Sequence, residues 1–455
     1  MTIHKIRATA LAAAMLGAAM GATAADTQSE STSSVPPMAQ SQLDMAQTAA
    51  KMALDSLGVQ LFGYMRSGAY YAKDGLAKGQ YSLSDVGFTR LGNEGDTYLE
   101  FGLGKKWQIS GAKLGTYWMP YLYNAQGVNV TGTKQVYVDI SGLSFAPELS
   151  FWAGQRYHRI QDVHIIDQWL MEDGDNFGAG VDKIGLGAMG GWLNLAVYTE
   201  GNTDNSTTIS NGKRLNFQLR EIPVAPGGTL NLTGGVIRGK FADKTTSFAL
   251  GALYNQKVGV LTNSLFVQGS NGHADLRGKF YQESSKNSDF VCKVPANLDN
   301  SCPDGELAPN PNPINNKPGA KQFRIVDAIN WQSGAFGGQA FVGYHSVKPE
   351  DSGKTTTNLG AGGRLSYGVA PNIKLLGELN VATKKTDGTN TQRLDKETVA
   401  IAIAPNTDFW SRPEIRLYVS RVGGNEAARS NDLKSSLGTH SNAILAGIQV
   451  EAWWE

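Results

Sequence analysis

Ile444-Leu445-Ala446-Gly447-Ile448-Gln449-Val450-Glu451-Ala452-Trp453-Trp454 sorts its side chains into two sets. Ile444, Ala446, Ile448, Val450, Ala452 and Trp454 fall on one side, and Leu445, Gly447, Gln449, Glu451 and Trp453 on the other. Successive side chains of a strand point to opposite faces, so the segment has one greasy face and one largely polar face that carries a tryptophan. A soluble sheet is built the same way, and the pattern gains weight by recurring. Val59, Leu61, Met65, Ala69 and Tyr71 alternate with Gln60, Phe62, Tyr64, Arg66 and Tyr70, and Thr97, Leu99, Phe101 and Leu103 with Asp96, Tyr98, Glu100 and Gly102. Leu215, Phe217 and Leu219 alternate with Arg214, Asn216, Gln218 and Arg220, and Ile415, Leu417 and Val419 with Arg412, Glu414, Arg416, Tyr418 and Ser420. Four such charged faces in a dry core would cost several kcal/mol per unpaired charge, a cost that a water-filled lumen avoids.

The chain opens with an export signal. Lys5 and Arg7 make a positive start, Leu11 to Met20 is apolar but too short to span a bilayer, and Ala22-Thr23-Ala24 or Thr23-Ala24-Ala25 offers small residues for cleavage. Residues 1–25 are therefore read as a signal peptide. Beyond them no run of about 20 apolar residues makes a membrane helix, which excludes a helical membrane protein but not a barrel of short, half-apolar strands. About 400 residues at roughly 22 per strand and connection give 16 to 18 strands. The 54 glycines suit tight turns, and the net charge of +1 implies no nucleic acid or other polyanion as partner. The expected fold is all-β, a transmembrane antiparallel barrel over residues 58–455, with Gly201 to Gly212 and Thr383 to Thr391 as breaks between strands.

Residues 26–57 precede it. Asp26 to Gln40, rich in Ser, Thr and Pro, reads as a flexible leader. Leu43, Ala46, Ala50, Ala53 and Leu57 then follow the 3-4 spacing of a coiled-coil seam, or of a simple amphipathic helix. Cys292 and Cys302 flank a Pro- and Asn-rich stretch, and in an oxidising compartment a disulfide is favoured over two free thiols.

The chemistry-bearing residues point away from catalysis. Asp162-Val163-His164-Ile165-Ile166-Asp167 sets a histidine between carboxylates, but its spacing fits no nucleophile or metal motif, and neither G-x-S-x-G nor H-E-x-x-H is present. A hydrolase using His164 or His158 is the enzyme alternative. No cofactor is expected. What remains is aromatics and ions on one strand face: Tyr64 with Arg66, Tyr98 with Glu100, Trp453 with Gln449 and Glu451. Pyranose rings have apolar faces that lie on aromatic rings, and rim hydroxyls that match arginine and carboxylate groups.

At these residues the chain resembles the maltoporin family of sugar porins. The matching blocks are Phe62-Gly63-Tyr64-Met65-Arg66-Ser67-Gly68, Arg90-Leu91-Gly92-Asn93-Glu94, Thr97-Tyr98-Leu99-Glu100, Trp152-Ala153-Gly154-Gln155-Arg156-Tyr157, Asp162 to Asp167, Trp410-Ser411-Arg412-Pro413 and Glu451-Ala452-Trp453-Trp454. The resemblance implies a homotrimer of 18-stranded barrels in the outer membrane of a Gram-negative bacterium, passing mono- and oligosaccharides passively along an aromatic slide and a polar track. It implies Tyr64, Tyr98 and Trp453 as slide residues and Arg66, Arg90 and Glu100 as track residues. Asp167 and Trp169 match the inward-folded loop, and Lys134 matches a track arginine. The family's constriction arginine falls on Ile160, with Arg159 adjacent. A wall tryptophan falls near Leu359 and a phenylalanine near Leu265, no aromatic for a neighbouring subunit stands out between Tyr117 and Thr131, and Gly95 takes one place of a missing first-loop cysteine pair. The slide is therefore expected to be short, and a general diffusion porin is the alternative. The leader helix is similar to that of the sucrose-porin branch.

Overall fold

The computed structural model describes residues 56–125, 128–199, 212–239, 241, 246–281, 290–292, 307–309 and 318–454. The signal peptide, nearly all of the leader and helix, and Cys302 of the expected disulfide fall outside them. Strands β1 (Val59–Ala72), β2 (Thr97–Ile109), β3 (Ala112–Ala125), β4 (Val128–Leu143) and β5 (Ala146–Gln155) begin an antiparallel sheet. The series runs on from Phe177–Gly185 to Asn442–Trp454 as one 18-stranded sheet. Asn442–Trp454 then pairs with β1, Trp453 opposite Tyr64 and Glu451 opposite Arg66, so the sheet closes on itself. Closure leaves no strand edge unpaired, the condition for crossing a bilayer in strands. No helix among the described residues is long and apolar enough to cross a membrane.

The two-residue periodicity survives in three dimensions. Ile415, Leu417 and Val419 are 48, 55 and 51% exposed on the outer wall, while Arg416 and Tyr418 between them are 0 and 2% exposed on the inner one. Connections differ between the two ends. At one end most are short: Ser110 and Gly111 both take positive φ (50° and 87°), the type I′ geometry that matches strand twist. At the other end most are longer, the loop end of an outer-membrane barrel. Ile373–Thr386 runs past the break expected from Thr383, which shortens that connection to 387–391.

One expectation needs correction. The charges on the inner wall do not stand in open water. The first loop (73–96) folds inward and lays Tyr81, Leu83 and Leu91 against Leu376, Leu394 and Tyr418. A second dry core joins Val86 and the loop residues Val163, Ile165, Ile166, Leu170 and Met171 to Leu253, Phe266, Val326 and Phe341 of the wall and to Phe409 of the turn 404–413. At about 1.5–3 kcal/mol per buried large side chain, the loops are firmly anchored. Wall charges beneath them survive by pairing. Arg364 and Lys396 each reach Glu378 at 2.7 Å, Lys374 binds Glu414, and Arg416 binds Glu414 and Glu451.

Candidate functional site

The side of the lumen that these cores leave uncovered is the wall of β1 to β3. Register puts Tyr64 opposite Glu100, Arg66 opposite Tyr98, Tyr98 opposite Tyr123 and Glu100 opposite Tyr121. All therefore face inward, and the rings form a ladder. Tyr98 stands 6.1 Å from Tyr64, 6.3 Å from Tyr121 and 6.4 Å from Tyr123 between centroids. The hydroxyls are tied to carboxylates: Tyr98 and Tyr157 both donate to Glu100 at 2.5 Å, and Tyr64 donates to Glu451 at 3.0 Å. Above the ladder, toward the loop end, a cavity of about 590 Å³ is lined by Gly68, Tyr70, Gly95, Asp96 and Ser435 among others.

The loop between β5 and Phe177–Gly185 supplies the opposite side. It is a small hairpin, Arg159–Val163 paired with Gln168–Glu172 around a 3-10 turn at His164–Ile166. Asp167 ends that turn at φ 54°, a left-handed conformation that Asp tolerates, and its side chain stays 42% exposed. Arg159 lies between two rings, its guanidinium carbon 3.5 Å from the centroid of Tyr157 and 4.5 Å from that of Trp169, with Glu172 at 3.2 Å. Ile160, the position aligned with the family's constriction arginine, packs instead against the dry core.

Arg66 and Arg90 form a clamp. Arg66 binds Asp96 at 2.6 Å, Glu94 at 3.1 Å and Asp167 at 3.4 Å. Arg90 binds Glu94 at 2.6 Å, Glu451 at 2.9 Å and Asp167 at 3.7 Å, and donates to the Tyr64 hydroxyl. The two arginines thus join the first loop, β1, the last strand and the inward hairpin. Against the pull of burial, Arg90 and Arg66 hold the Asp167 carboxyl below its ordinary range.

Trp453 completes the group. Arg412 covers its ring at 4.4 Å, and the His164 ring stands 5.4 Å from both Trp453 and Trp410. Burial pushes the His164 imidazole down to about 4; Glu451 opposes, and Arg90 and Arg412 add to the effect. This histidine is therefore neutral at pH 7. Burial pushes the Asp162 carboxyl up to about 6; Arg90 opposes and the charge of Asp167 adds to it. Asp162 is 30% exposed at the constriction. Falling pH protonates it and removes one negative charge, so the permeability of cations relative to anions should fall between pH 7.5 and 5. Reversal potentials in a salt gradient measure this, and Asp162→Asn should abolish the step; a step unchanged in that variant assigns it to another group.

The structure brings together Tyr64, Tyr98, Trp453, Arg66, Arg90, Glu100 and Asp167, with Arg159 and Trp169 on the facing hairpin. Lys134 sits at a bulge, between the pairs Gln135–Met119 and Thr133–Pro120, and its ammonium lies 4.5 Å from the Tyr121 centroid. Leu359 is 49% exposed on the outer wall and Leu265 lies next to the inward Phe266, so neither takes the place of a lumen aromatic. The sequence reading missed Tyr121, Tyr123, Tyr157 and Arg412. Alternation through Tyr117, Met119, Tyr121 and Tyr123 was the available signal for the first two; Arg412 stood in a quoted block without a role. For the hydrolase alternative, the described hydrogen-bond and ion-pair partners of the His158 ring are Asp173, Asp182, Asn194 and Tyr198, and those of the His164 ring are arginines and carboxylates. None is a serine or cysteine.

A family model described as LamB porin matches residues 59–454. "Maltoporin" of Hahella chejuensis is 24% identical over 438 residues, 90% of this chain and 96% of that protein. "Maltoporin 1" of Klebsiella pneumoniae subsp. pneumoniae is 26% identical over 428 residues, 87% of this chain and 93% of that protein. Among solved structures, OmpT, an outer membrane protein of Vibrio cholerae in its trimer form, gives a TM-score of 0.42 at 10% identity, covering 87% of this chain and 99% of that one.

Proposed function

Because the chain belongs to the LamB porin family, and is thus a channel protein of the Gram-negative outer membrane, we propose that it passes mono- and oligosaccharides down their gradient along the tyrosine ladder. The observation that carries this reading is the ladder itself: rings with centroids 6.1 and 6.3 Å apart, with carboxylates at the rims of Tyr64 and Tyr98 and an ammonium beside Tyr121. Tyr64, Tyr98, Tyr121 and Trp453 would take the sugar faces, and Glu100, Asp167, Arg159 and Lys134 the hydroxyls. Arg66 and Arg90, sealed in ion pairs, would act chiefly by holding the hairpin in place. Several weak sites in series let a solute step forward without being trapped. No chemical step and no energy input are required.

A homotrimer accords with the polar strip on the outer wall toward the loop end. Ser67 and Thr97 share a hydrogen bond of 2.8 Å there, and Asn124 donates to Asn129 at 2.5 Å. Such groups suit a subunit contact better than lipid tails.

The test is conductance in a planar bilayer, titrated with glucose, sucrose, maltose and maltotriose. Saturable block by at least one sugar is expected, and the ranking names the preferred class. The second reading, a general diffusion porin, draws on the cations that already cover the rings, such as Arg66 at 5.2 Å from Tyr98 and Arg412 over Trp453. Steady current unaffected by every sugar would favour it.

A further inference from the structure

The inner wall carries a second aromatic group, on the short-turn side of the ladder, that the site described above leaves unused. Tyr117 of β3 and Tyr137 of β4 are cross-strand partners whose rings stack at 4.5 Å with planes 15° apart. On its other side Tyr117 is paired with Gly104, and Gln60 of β1 is the next residue across. An added Cβ at Gly104 would meet the Tyr117 ring at 3.0 Å, so the ring leans over bare backbone and no β2 side chain stands between it and the lumen. The next inward residue of β2, Gly102, is equally bare; Phe62 lies across it.

Packing alone would favour covered rings, since a cross-strand aromatic pair gains about 0.2–1 kcal/mol from contact and more from burial. Tyr117 and Tyr137 remain partly exposed. Their rim is polar. Asp139 and the Tyr117 hydroxyl converge above Gly115, 2.5 and 2.7 Å from where a Cβ would stand. Arg156, held by Asp182 at 2.9 Å, lies 5.1 Å from the Tyr137 centroid. A flat ring edged by a carboxylate, a hydroxyl and a guanidinium matches a pyranose, which offers an apolar face and a rim of hydroxyls.

From this we infer that Phe62, Tyr117 and Tyr137, with Asp139 and Arg156 at the rim, form a second saccharide subsite on the exit side of the constriction. The inference rests on the saccharide reading and extends it. Tyr117 and Tyr121 are four residues apart on one strand, about 14 Å. A disaccharide on the ladder does not reach the second subsite; a longer linear oligosaccharide occupies both. Affinity therefore rises with chain length.

The test uses maltose to maltohexaose as probes in planar bilayers, on the parent channel, the Tyr117→Ala/Tyr137→Ala double variant and Tyr98→Ala. For the double variant the half-blocking concentration of maltohexaose should rise about fivefold or more, while that of maltose stays within about twofold. Tyr98→Ala should raise both. Equal shifts for the two sugars in the double variant, or none, would overturn the subsite and leave the ladder standing. A parent channel that no saccharide blocks would remove the saccharide reading and the subsite with it. If the double variant fails to assemble, as judged by heat-sensitive migration of the unboiled protein, Tyr117→Leu keeps the apolar volume and removes the flat ring.

Discussion

Tyr98→Ala should raise the saccharide concentration that half-blocks the channel by roughly five- to thirtyfold, about 1–2 kcal/mol, while ion current stays the same or rises. Tyr98 is the hub of the ladder, within 6.4 Å of three other rings, and its hydroxyl holds Glu100 at 2.5 Å. Its loss removes a stacking face and leaves the rim carboxylate with Tyr157 as its remaining hydroxyl partner at one stroke. Ions use no aromatic face, and the truncated side chain widens the path, so their current has no reason to fall. Trp453→Ala should act in the same direction with a smaller effect, because Arg412 lies closer over that ring, at 4.4 Å, than Arg66 lies over Tyr98, at 5.2 Å. Current noise analysis of sugar block in both variants decides the matter. Block identical to the parent in both would leave the rings as wall packing.

Arg90→Ala should produce a large structural effect at the constriction. The guanidinium is buried and bonded to Glu94, Glu451, Asp167 and Tyr64. Removing one partner of a buried ion pair costs about 3–5 kcal/mol. The loss here should sit at the low end, since Arg66 still serves Glu94, and Arg412 and Arg416 still serve Glu451. The energy is lost locally, where the first loop and the hairpin meet the wall, so the barrel should survive and the constriction loosen. Higher open-channel conductance and noisier current are expected, with the unboiled protein still migrating as a heat-sensitive species. Glu451→Gln should act similarly, and the double variant should cost less than the two single changes added together, as members of one network do. A quiet Arg90→Ala channel of parental conductance would show the clamp to be idle.

The barrel was legible because its rule is local. Two-residue alternation in Ile444 to Trp454 and in Arg412 to Ser420 depends only on strand geometry and on which face meets lipid. The inward faces of Tyr64, Tyr98 and Trp453 followed from the same rule. The fate of the charges did not. Arg416 looked like a water-facing residue; its pairing with Glu414 and Glu451 on the wall and the inward folding of residues 73–96 against the neighbouring Tyr418 are long-range events without a period. For the same reason Ile160 gave no sign of packing into a core, and the seat of Arg159 between Tyr157 and Trp169 could not be foreseen. A bulge breaks the register beside Lys134, which alternation alone does not show.

The seam between Val59–Ala72 and Asn442–Trp454 governs how the channel can be made. Tyr64 donates to Glu451 across 387 positions of sequence. The constriction is pinned to that seam through Arg90, so a chain lacking its last strand has neither a sealed wall nor a seat for the hairpin. Assembly is thus set by the most distant strand pairing among the described residues, the kind of contact that forms slowly. Until it forms, the two end strands present open edges, and any factor that aids insertion must shield both ends of the sheet at once.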